Sequence, residues 1–293
     1  YPKLVYGYVS GYGEKGPDKD LPGFDFTAFY ARGGILGPLR DKNSLPMLTV
    51  QGFGDHQVAM NLAAGVLAAL FKAKMTGEGD HVVVSLFHSA IWDISLMLQA
   101  SQYGADSTQY PMERWKLGNP LVLCYETADG QWLQIAMPQY DRHYPILMNA
   151  MGYPELADDT RYYPQKNLIP NREEFSAWIT AEFKKKTCDE WCKLLDANDL
   201  PYAIAQEWDS LLEDKQAWAS DCFYEMSYSN GNKRTLVRPP VLFDQMGLPP
   251  YERGPYLGEQ TKDILGELGY SGEAIEEMIK SGAAIDMDSA LRD

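Results

Sequence analysis

The sequence predicts an α/β fold followed by a smaller α+β block. An apolar run at residues 4–9 predicts a first strand, and the β-branched run at 81–86 predicts a second. Between them, the Ala-, Leu- and Met-rich stretch at 57–75 ends at Thr76 and Gly77, which is typical of a helix closed by glycine. Strand, helix and strand joined by short connections indicate an α/β layer.

The second strand and the helix before it both have the composition of covered elements. Residues 81–86 (HVVVSL) show almost no alternation, as in a parallel strand that is buried on both faces. The helix at 57–75 is apolar nearly all round, so we expect it to be buried. Further helices are predicted at 24–34 and 87–103, with a brief strand at 48–50.

The middle of the chain changes character after Gly104. Residues 121–125 and 132–136 flank Asp129-Gly130, which predicts a β-hairpin. Helices are predicted at 141–151, 172–185 and 189–198, strands near 236–237 and 241–243, and closing amphipathic helices at 259–268 and 273–280. We therefore expect a large α/β domain from residues 1–110 and 225–293, and a small α+β domain at 118–220.

Composition excludes several classes of function. The chain has 293 residues, 45% of them hydrophobic, and a net charge of −15. Such a charge argues against a nucleic-acid or anionic-membrane partner. The longest apolar stretch, 58–73, is interrupted by Asn61 and Gly65, so no membrane span is predicted. The four cysteines lack the paired spacing of a metal site, and reduced cytoplasmic thiols are expected.

The stretch GYGEKG at residues 11–16 matches the dinucleotide-binding pattern G-x-G-x-x-G. That pattern requires a helix to follow at once, so that its N-terminus faces the pyrophosphate. Here Pro17, Pro22 and Gly23 follow within seven residues, and they would break a helix at its first turn. We therefore predict a glycine-rich surface loop at the end of the first strand.

Two aspartates are candidates for chemistry. Asp55 follows Gly52-Phe53-Gly54 at the start of the long helix, where aspartate is a favoured N-cap. The flanking glycines would also let a ligand approach, and a semi-buried carboxylate at a helix N-terminus could act as a nucleophile. Asp25, among aromatic residues, is the second candidate, and it too could be an N-cap. The four histidines share no metal spacing and no catalytic motif.

Four segments carry a resemblance to a known family. They are PKLVYGYVSGYGEKGP, PGFDFTAFYARGG, GFGDHQVAMNLAAGVLAALFKAKMTGEGDHVVVSLFHSA and RGPYLGEQTKDILGELGYSGEAIEEMIKSG. The sequence resembles the class III coenzyme A transferases, of the formyl-CoA and carnitine-CoA transferase type. The resemblance implies a Rossmann-like large domain whose N-terminal part precedes Tyr1-Pro2, and it covers essentially the whole chain.

The resemblance implies roles for named residues. Asp55 matches the family's nucleophile, which forms an aspartyl anhydride and then an aspartyl-CoA thioester, and Asp25 matches a second acidic residue of the active site. The family's chemistry also needs donors for an oxyanion, which we assign to Gly52 and Gly54. The loop beside the cofactor is then GYGEKG, and the residues expected to bind coenzyme A are Gly13, Lys15 and Arg32. Coenzyme A enters as a substrate, and neither a permanent cofactor nor a metal is expected.

Two differences between this sequence and members of the family it resembles reduce the range of expected substrates and reactions. The glycine run that oxalate-type relatives carry before the hairpin is absent from residues 111–118, which argues against oxalate. Racemases of the same fold use Gly-His-Asp where this chain has Gly23-Phe24-Asp25, and phenylalanine transfers no proton. The aromatic residues near Asp25 resemble transferases of amino-acid fermentation, which move CoA between 2-hydroxy acids, such as phenyllactate or 2-hydroxyisocaproate, and the matching enoyl-CoA.

Two alternatives stay open at the level of sequence. One is an acyl-CoA racemase of the same fold, and the other is a non-catalytic subunit related to the transferases. For the transferase, the resemblance implies a cytoplasmic enzyme that binds an acyl-CoA and a small carboxylic acid. It also implies an interlocked homodimer, and long linkers around 105–119 and 220–235 are consistent with such threading.

Overall fold

The computed structural model forms two compact units, Tyr1–Ala205 and Gln206–Asp293. The predicted division into a large domain at 1–110 with 225–293 and a small domain at 118–220 stays a prediction. The structure describes residues 1–104, 110–111, 113–228, 231–247 and 251–287.

The first unit begins with the predicted α/β layer. Strand β1 (Val5–Ser10) pairs in parallel with strand β2 (Asp80–Ser85), with Val5 opposite Asp80 and Ser10 opposite Ser85. Helix α1 (Phe53–Thr76) lies between them in the chain and ends at Gly77, whose φ of 81° is the left-handed conformation of a glycine C-cap. The strand–helix–strand prediction is confirmed.

Helix α1 packs closely on this sheet because two glycines leave room. A Cβ on Gly65 would lie 2.6 Å from Cγ1 of Val82 in β2, and a Cβ on Gly7 would lie 3.3 Å from side-chain atoms of Leu62 and Val66. By length and composition alone, α1 is also the one described helix apolar enough to cross a membrane, with a hydropathy of 1.4. The sequence estimate that no run reaches such a length was therefore wrong.

The prediction that α1 is buried was also wrong. Only one face of the helix touches the sheet, while Leu67, Phe71 and Met75 are about two-thirds exposed. Likewise, β2 is not covered on both faces, because its residues alternate between exposed and partly buried positions. An apolar sequence predicts that a surface is favourably buried, but it does not identify what buries it. In the described residues of this chain, much of the apolar surface of α1 remains exposed.

The elements around α1 differ in detail from their predictions. The helix predicted at 24–34 is a π-helix, Asp25–Ala31, and residues 48–50 form no strand. The helix predicted at 87–103 divides at Ile94, whose φ and ψ of −100° and 12° interrupt the helical backbone. The pieces are α2 (Leu86–Asp93), α3 (Ser95–Ala100) and a 3-10 turn at Ser101–Tyr103.

Residues 113–205 contain the predicted hairpin and its helices. Strands β3 (Cys124–Glu126) and β4 (Trp132–Ile135) pair antiparallel around Gly130, and β5 (Tyr202–Ile204) adds to β4. The helices are α4 (Tyr140–Met151), α5 (Gln165–Leu168), α6 (Arg172–Phe183) and α7 (Cys188–Asp196). Their apolar faces form the larger core of the unit.

The second unit contains a hairpin where a linker was expected. Residues 220–235 include strand β6 (Phe223–Ser227), which pairs antiparallel with β7 (Lys233–Val237), so the linker prediction there was wrong. No strand forms at 241–243. The helices are α8 (Trp208–Leu212), α9 (Lys215–Ala219), α10 (Thr261–Glu267) and α11 (Gly272–Lys280). Of the other predicted linker, positions 105–109 and 112 lie outside the described residues.

Candidate active site

The candidate site is built on the turn that opens α1. Gly52 is the N-cap, with a φ of 80° that favours glycine, and Asp55 is the third residue of the helix. Asp55 is therefore not the N-cap, which was the structural alternative to a catalytic role for this residue. The capping carboxylate comes instead from Asp25, which is far away in the sequence.

Asp25 is held by the backbone of this turn. Its Oδ2 accepts a hydrogen bond from the Gly52 amide at 2.7 Å, and its Oδ1 accepts one from the Gly54 amide at 3.0 Å. The residue is only 5% exposed. Amides in the first turn of a helix have no partner within the helix, so a carboxylate that accepts from them stabilises the helix start.

Gly54 makes this contact possible because it has no side chain. A Cβ at that position would lie 2.4 Å from Asp25 Oδ1 and 2.3 Å from Cγ of Phe29. Both distances are far shorter than van der Waals contact. The second glycine of Gly-Phe-Gly is therefore needed for the close approach of Asp25, whereas the first is needed for the backbone conformation.

The π-helix holds the same turn at a second point. The hydroxyl of Tyr30 donates a hydrogen bond to the Val50 carbonyl at 3.2 Å, and burial raises the pKa of this hydroxyl. The Phe29 ring is fully buried, with its centroid 6.4 Å from that of Phe53. Because a π-helix bonds residue i to i+5, Asp25, Phe29 and Tyr30 can all face the turn from one short element.

Asp55 itself is exposed, which corrects the expectation of a semi-buried carboxylate. The described residues leave the N-terminal end of α1 open on this side. Asp55 nevertheless lies in the first turn of a helix of 24 residues, so the positive end of the helix dipole lies at this carboxylate. An exposed anion at a helix N-terminus is available to an electrophile from solution.

The two amides predicted to stabilise an oxyanion are occupied. Gly52 and Gly54 both donate to Asp25 in the structure. Using them for an oxyanion would require Asp25 to move away. The other predicted role of the two glycines, which is to let a ligand come close to Asp55, needs no movement of Asp25.

The glycine-rich loop lies against this site through a backbone contact. A Cβ on Gly11 would lie 2.6 Å from Cα of Gly23, two residues before Asp25. Gly13 has a φ of 95°, and its amide donates to Ser10 Oγ at 2.8 Å. The loop, the end of β2 and the start of α2 together line a cleft of about 420 Å³, and its polar side chains include Glu14, Lys15, Ser85 and His88.

Of the predicted phosphate-binding cations, Lys15 is exposed at this cleft and Arg32 lies beside it. The Arg32 guanidinium stacks 4.9 Å from the ring of Tyr12 and 5.4 Å from that of Phe87, both of which line the cleft. Its Nη2 lies 2.5 Å from Asp18 Oδ2, and this bond raises the pKa of Arg32.

The structure thus brings the predicted residues into two adjoining groups. Asp25, Gly52, Gly54 and Asp55 form the turn, and Gly13, Lys15 and Arg32 surround the cleft. Sequence reasoning did not single out Asp18 as a partner of Arg32. It also assigned no separate role to Tyr30, which was one of several aromatic residues near Asp25. Residues 25 and 30 are five apart, and side chains at that spacing lie on the same face only in a π-helix. Among the described residues, no group of three or more His, Cys, Asp and Glu could hold a metal ion.

Comparisons with a family model and with known sequences identify CoA-transferases. The model of CoA-transferase family III matches residues 1–261. A cinnamoyl-CoA:phenyllactate CoA-transferase of Clostridium sporogenes is 48% identical over 96% of this chain and 68% of its own length. An (R)-2-hydroxy-4-methylpentanoate CoA-transferase of Clostridioides difficile is 39% identical over 94% of this chain and 68% of its own length.

The fold also has relatives among solved structures. A CAIB/BAIF family protein from Brucella suis superposes with a TM-score of 0.74, over 91% of this chain and 68% of that one, at 22% identity. This likeness supports the fold alone. The chain spans about two-thirds of the length of the relatives it matches.

Proposed function

The chain belongs to CoA-transferase family III, and from this we propose that it moves coenzyme A between an enoyl- or aryl-enoyl-CoA and a 2-hydroxy acid, with Asp55 as the covalent nucleophile. The observation that carries the proposal is the exposed Asp55 carboxylate in the first turn of α1, directly after the Gly52–Gly54 turn that Asp25 holds. The names of both enzymatic relatives support the substrate class.

The first half of the reaction would remove CoA from the donor. A carboxylate oxygen of Asp55 attacks the thioester carbonyl, the C–S bond breaks, and CoA leaves as a thiolate from an acyl-aspartyl anhydride. The thiolate then attacks the aspartyl carbonyl of the anhydride. This step releases the donor acid as a carboxylate and leaves CoA on Asp55 as a thioester.

The second half of the reaction would transfer CoA from Asp55 to the acceptor acid. The carboxylate of the acceptor attacks the aspartyl thioester and forms a second anhydride, again with release of the CoA thiolate. Attack of the thiolate on the acceptor acyl carbon gives the new acyl-CoA and restores Asp55. The positive end of α1 favours the anionic groups at Asp55 throughout, and exclusion of water by bound substrate protects the anhydrides.

The aromatic residues near the site favour an apolar acyl group. Phe29 and Tyr30 are core residues, but Phe24 is 66% exposed, Phe26 45% and Phe53 51%. Phe24 and Phe26 flank Asp25, and Phe53 is two residues from Asp55. We propose that these exposed rings contact the aryl or branched alkyl group of the substrate.

We extend the proposal to the binding of CoA and to assembly. Lys15 and Arg32 would bind CoA phosphates at the glycine-rich loop, with Gly13 allowing a close approach. A cytoplasmic homodimer is proposed as well. Its support is the apolar surface of α1, where Leu67, Phe71 and Met75 are exposed, since soluble proteins rarely leave such a patch uncovered.

The experiment that tests the function is a transfer assay with a matched variant pair. Cinnamoyl-CoA and (R)-phenyllactate are incubated with the enzyme, and phenyllactyl-CoA is followed by chromatography. Asp55→Asn should remove turnover while leaving the fold intact by circular dichroism. Asp41→Asn, at an exposed carboxylate in a turn, serves as the control and should keep full activity. Retained turnover in the Asp55 variant would contradict the proposal.

A further inference from the structure

We propose that Asp25 is a positioning residue for Asp55 and does not itself react with substrate. The inference rests on the function proposed above and assigns a separate task to the second aspartate of the site. It is carried by the pair of hydrogen bonds that join the Asp25 carboxylate to the turn between Gly52 and Gly54.

The Asp25 carboxylate is not available for chemistry as it stands. Each of its two oxygens accepts a backbone hydrogen bond, and the residue is 95% buried, since only 5% of its surface is exposed. Asp55, by contrast, is exposed. Of the two aspartates, only Asp55 can meet a thioester without a rearrangement of the turn.

Asp25 binds the backbone immediately before Asp55, so it can fix the position of the nucleophile. The peptide amides that it binds lie on either side of Phe53, and Gly54 is joined directly to Asp55. Gly52 has no side chain to cap the helix, and the capping carboxylate is that of Asp25. The first turn of α1, and with it the direction of the Asp55 side chain, is therefore fixed by a carboxylate 29 residues earlier in the chain.

The rest of the π-helix supports the same task. Tyr30 holds the Val50 carbonyl, and the Phe29 ring occupies the space that a Cβ on Gly54 would need. The π-helix thus holds the turn before and after Gly52. A small displacement of this turn would misalign the carboxylate oxygen of Asp55 with the thioester carbon, and a misplacement of about 1 Å can cost about 100-fold in rate.

Two variants test the contact between Asp25 and Gly54, one by changing the carboxylate and the other by changing the glycine. Asp25→Asn keeps the shape but places an amide donor against one of the two backbone donors. Gly54→Ala leaves every functional group in place but puts a Cβ 2.4 Å from Asp25 Oδ1. Asp20→Asn, at an exposed carboxylate paired with Lys19, is the matched control.

The readout is single-turnover acylation of Asp55 by cinnamoyl-CoA, trapped with hydroxylamine and followed by peptide mass. We expect both variants to lower the rate constant per labelled Asp55 by about 10- to 100-fold, with KM for the CoA ester changed less than about threefold. The control should match the wild type. A merely structural role would lower the amount of labelled enzyme but leave that rate constant unchanged.

The outcomes separate this inference from the proposed function. If the wild type labels Asp55 and both variants label it at the wild-type rate, the positioning role is wrong and the proposed function stands. A hydroxamate on Asp25 would also overturn the positioning role. If the wild type carries no label on either residue while it turns over, the covalent mechanism fails and this inference fails with it.

Discussion

Arg32 and Asp18 form an ion pair in which Nη2 of the guanidinium lies 2.5 Å from Oδ2 of the carboxylate. The pair holds the guanidinium over the rings of Tyr12 and Phe87, at the glycine-rich loop. Both partners are partly exposed, with 44% and 34% of their side-chain surfaces accessible. A phosphate that enters the cleft can therefore replace Asp18 as the partner of a guanidinium that is already in place.

We predict that Arg32→Gln weakens binding of the CoA ester. Loss of the guanidinium should raise KM about fivefold at low salt and less at high salt, because exposed charges are screened. Asp18→Asn, which frees Arg32 from its partner, should not raise KM. Initial-rate measurements at two ionic strengths check both statements, and an unchanged KM in Arg32→Gln would remove this residue from the CoA site.

The contact between Gly11 and Gly23 should be intolerant of any side chain. A Cβ on Gly11 would meet the backbone of Gly23 at 2.6 Å, so Gly11→Ala must separate two loops. We expect a loss of about 1–3 kcal/mol of unfolding free energy in urea. Gly37→Ala is the control, because a Cβ there meets nothing within 4 Å. Equal stability of the two variants would show that the loops can separate freely.

The core of residues 113–205 should depend on Phe183. Its ring is fully buried and stacks between Tyr125 and Trp191, with centroid distances of 4.6 and 4.4 Å. Phe183→Ala should cost about 3–5 kcal/mol of stability in urea unfolding, since it leaves a cavity. Phe243→Ala, at a ring that is 59% exposed, is the matched control and should cost far less.

In the second unit, the Glu259 carboxyl should titrate at unusually low pH. The Arg253 guanidinium and then the Tyr256 amide hold the pKa of Glu259 at about 2, against an ordinary value of 4.5. Because the folded-state pKa is depressed, the stabilisation is complete above pH 4.5 and is lost as the pH falls towards 2. Carboxyl carbon NMR should show this midpoint in the wild type. It should move towards 4.5 in Arg253→Gln, and an unmoved midpoint would contradict the assignment to Arg253.

Local patterns predicted much of the fold. The parallel pair β1 and β2 followed from two apolar runs, and the hairpin of β3 and β4 from Asp129-Gly130, where Gly130 adopts a φ of 77°. The exposed face of α1 could not be predicted, because an apolar sequence does not say what covers it. Strand β6 and the first part of β7 were predicted as a linker, because their short polar sequence lacks a strong alternation, whereas the strand predicted near 236–237 forms the end of β7.

The candidate site was predicted in its residues but not in its arrangement. Asp25 and Asp55 were both recognised from the sequence and from the family resemblance. Which of them is buried depends on hydrogen bonds that span 27 and 29 residues, and no local pattern encodes such a pairing. The π-helix was missed for the same reason, since its wide turn is stabilised by contacts with α1 and α2.

The measurement that tests the covalent role of Asp55 most directly is hydroxylamine trapping during turnover of cinnamoyl-CoA, followed by mass spectrometry of the Asp55 peptide. We predict a hydroxamate on Asp55 that forms only when the CoA ester is present, and an unmodified Asp25 in the same digest. An enzyme that turns over while Asp55 stays unmodified would contradict the covalent aspartyl mechanism.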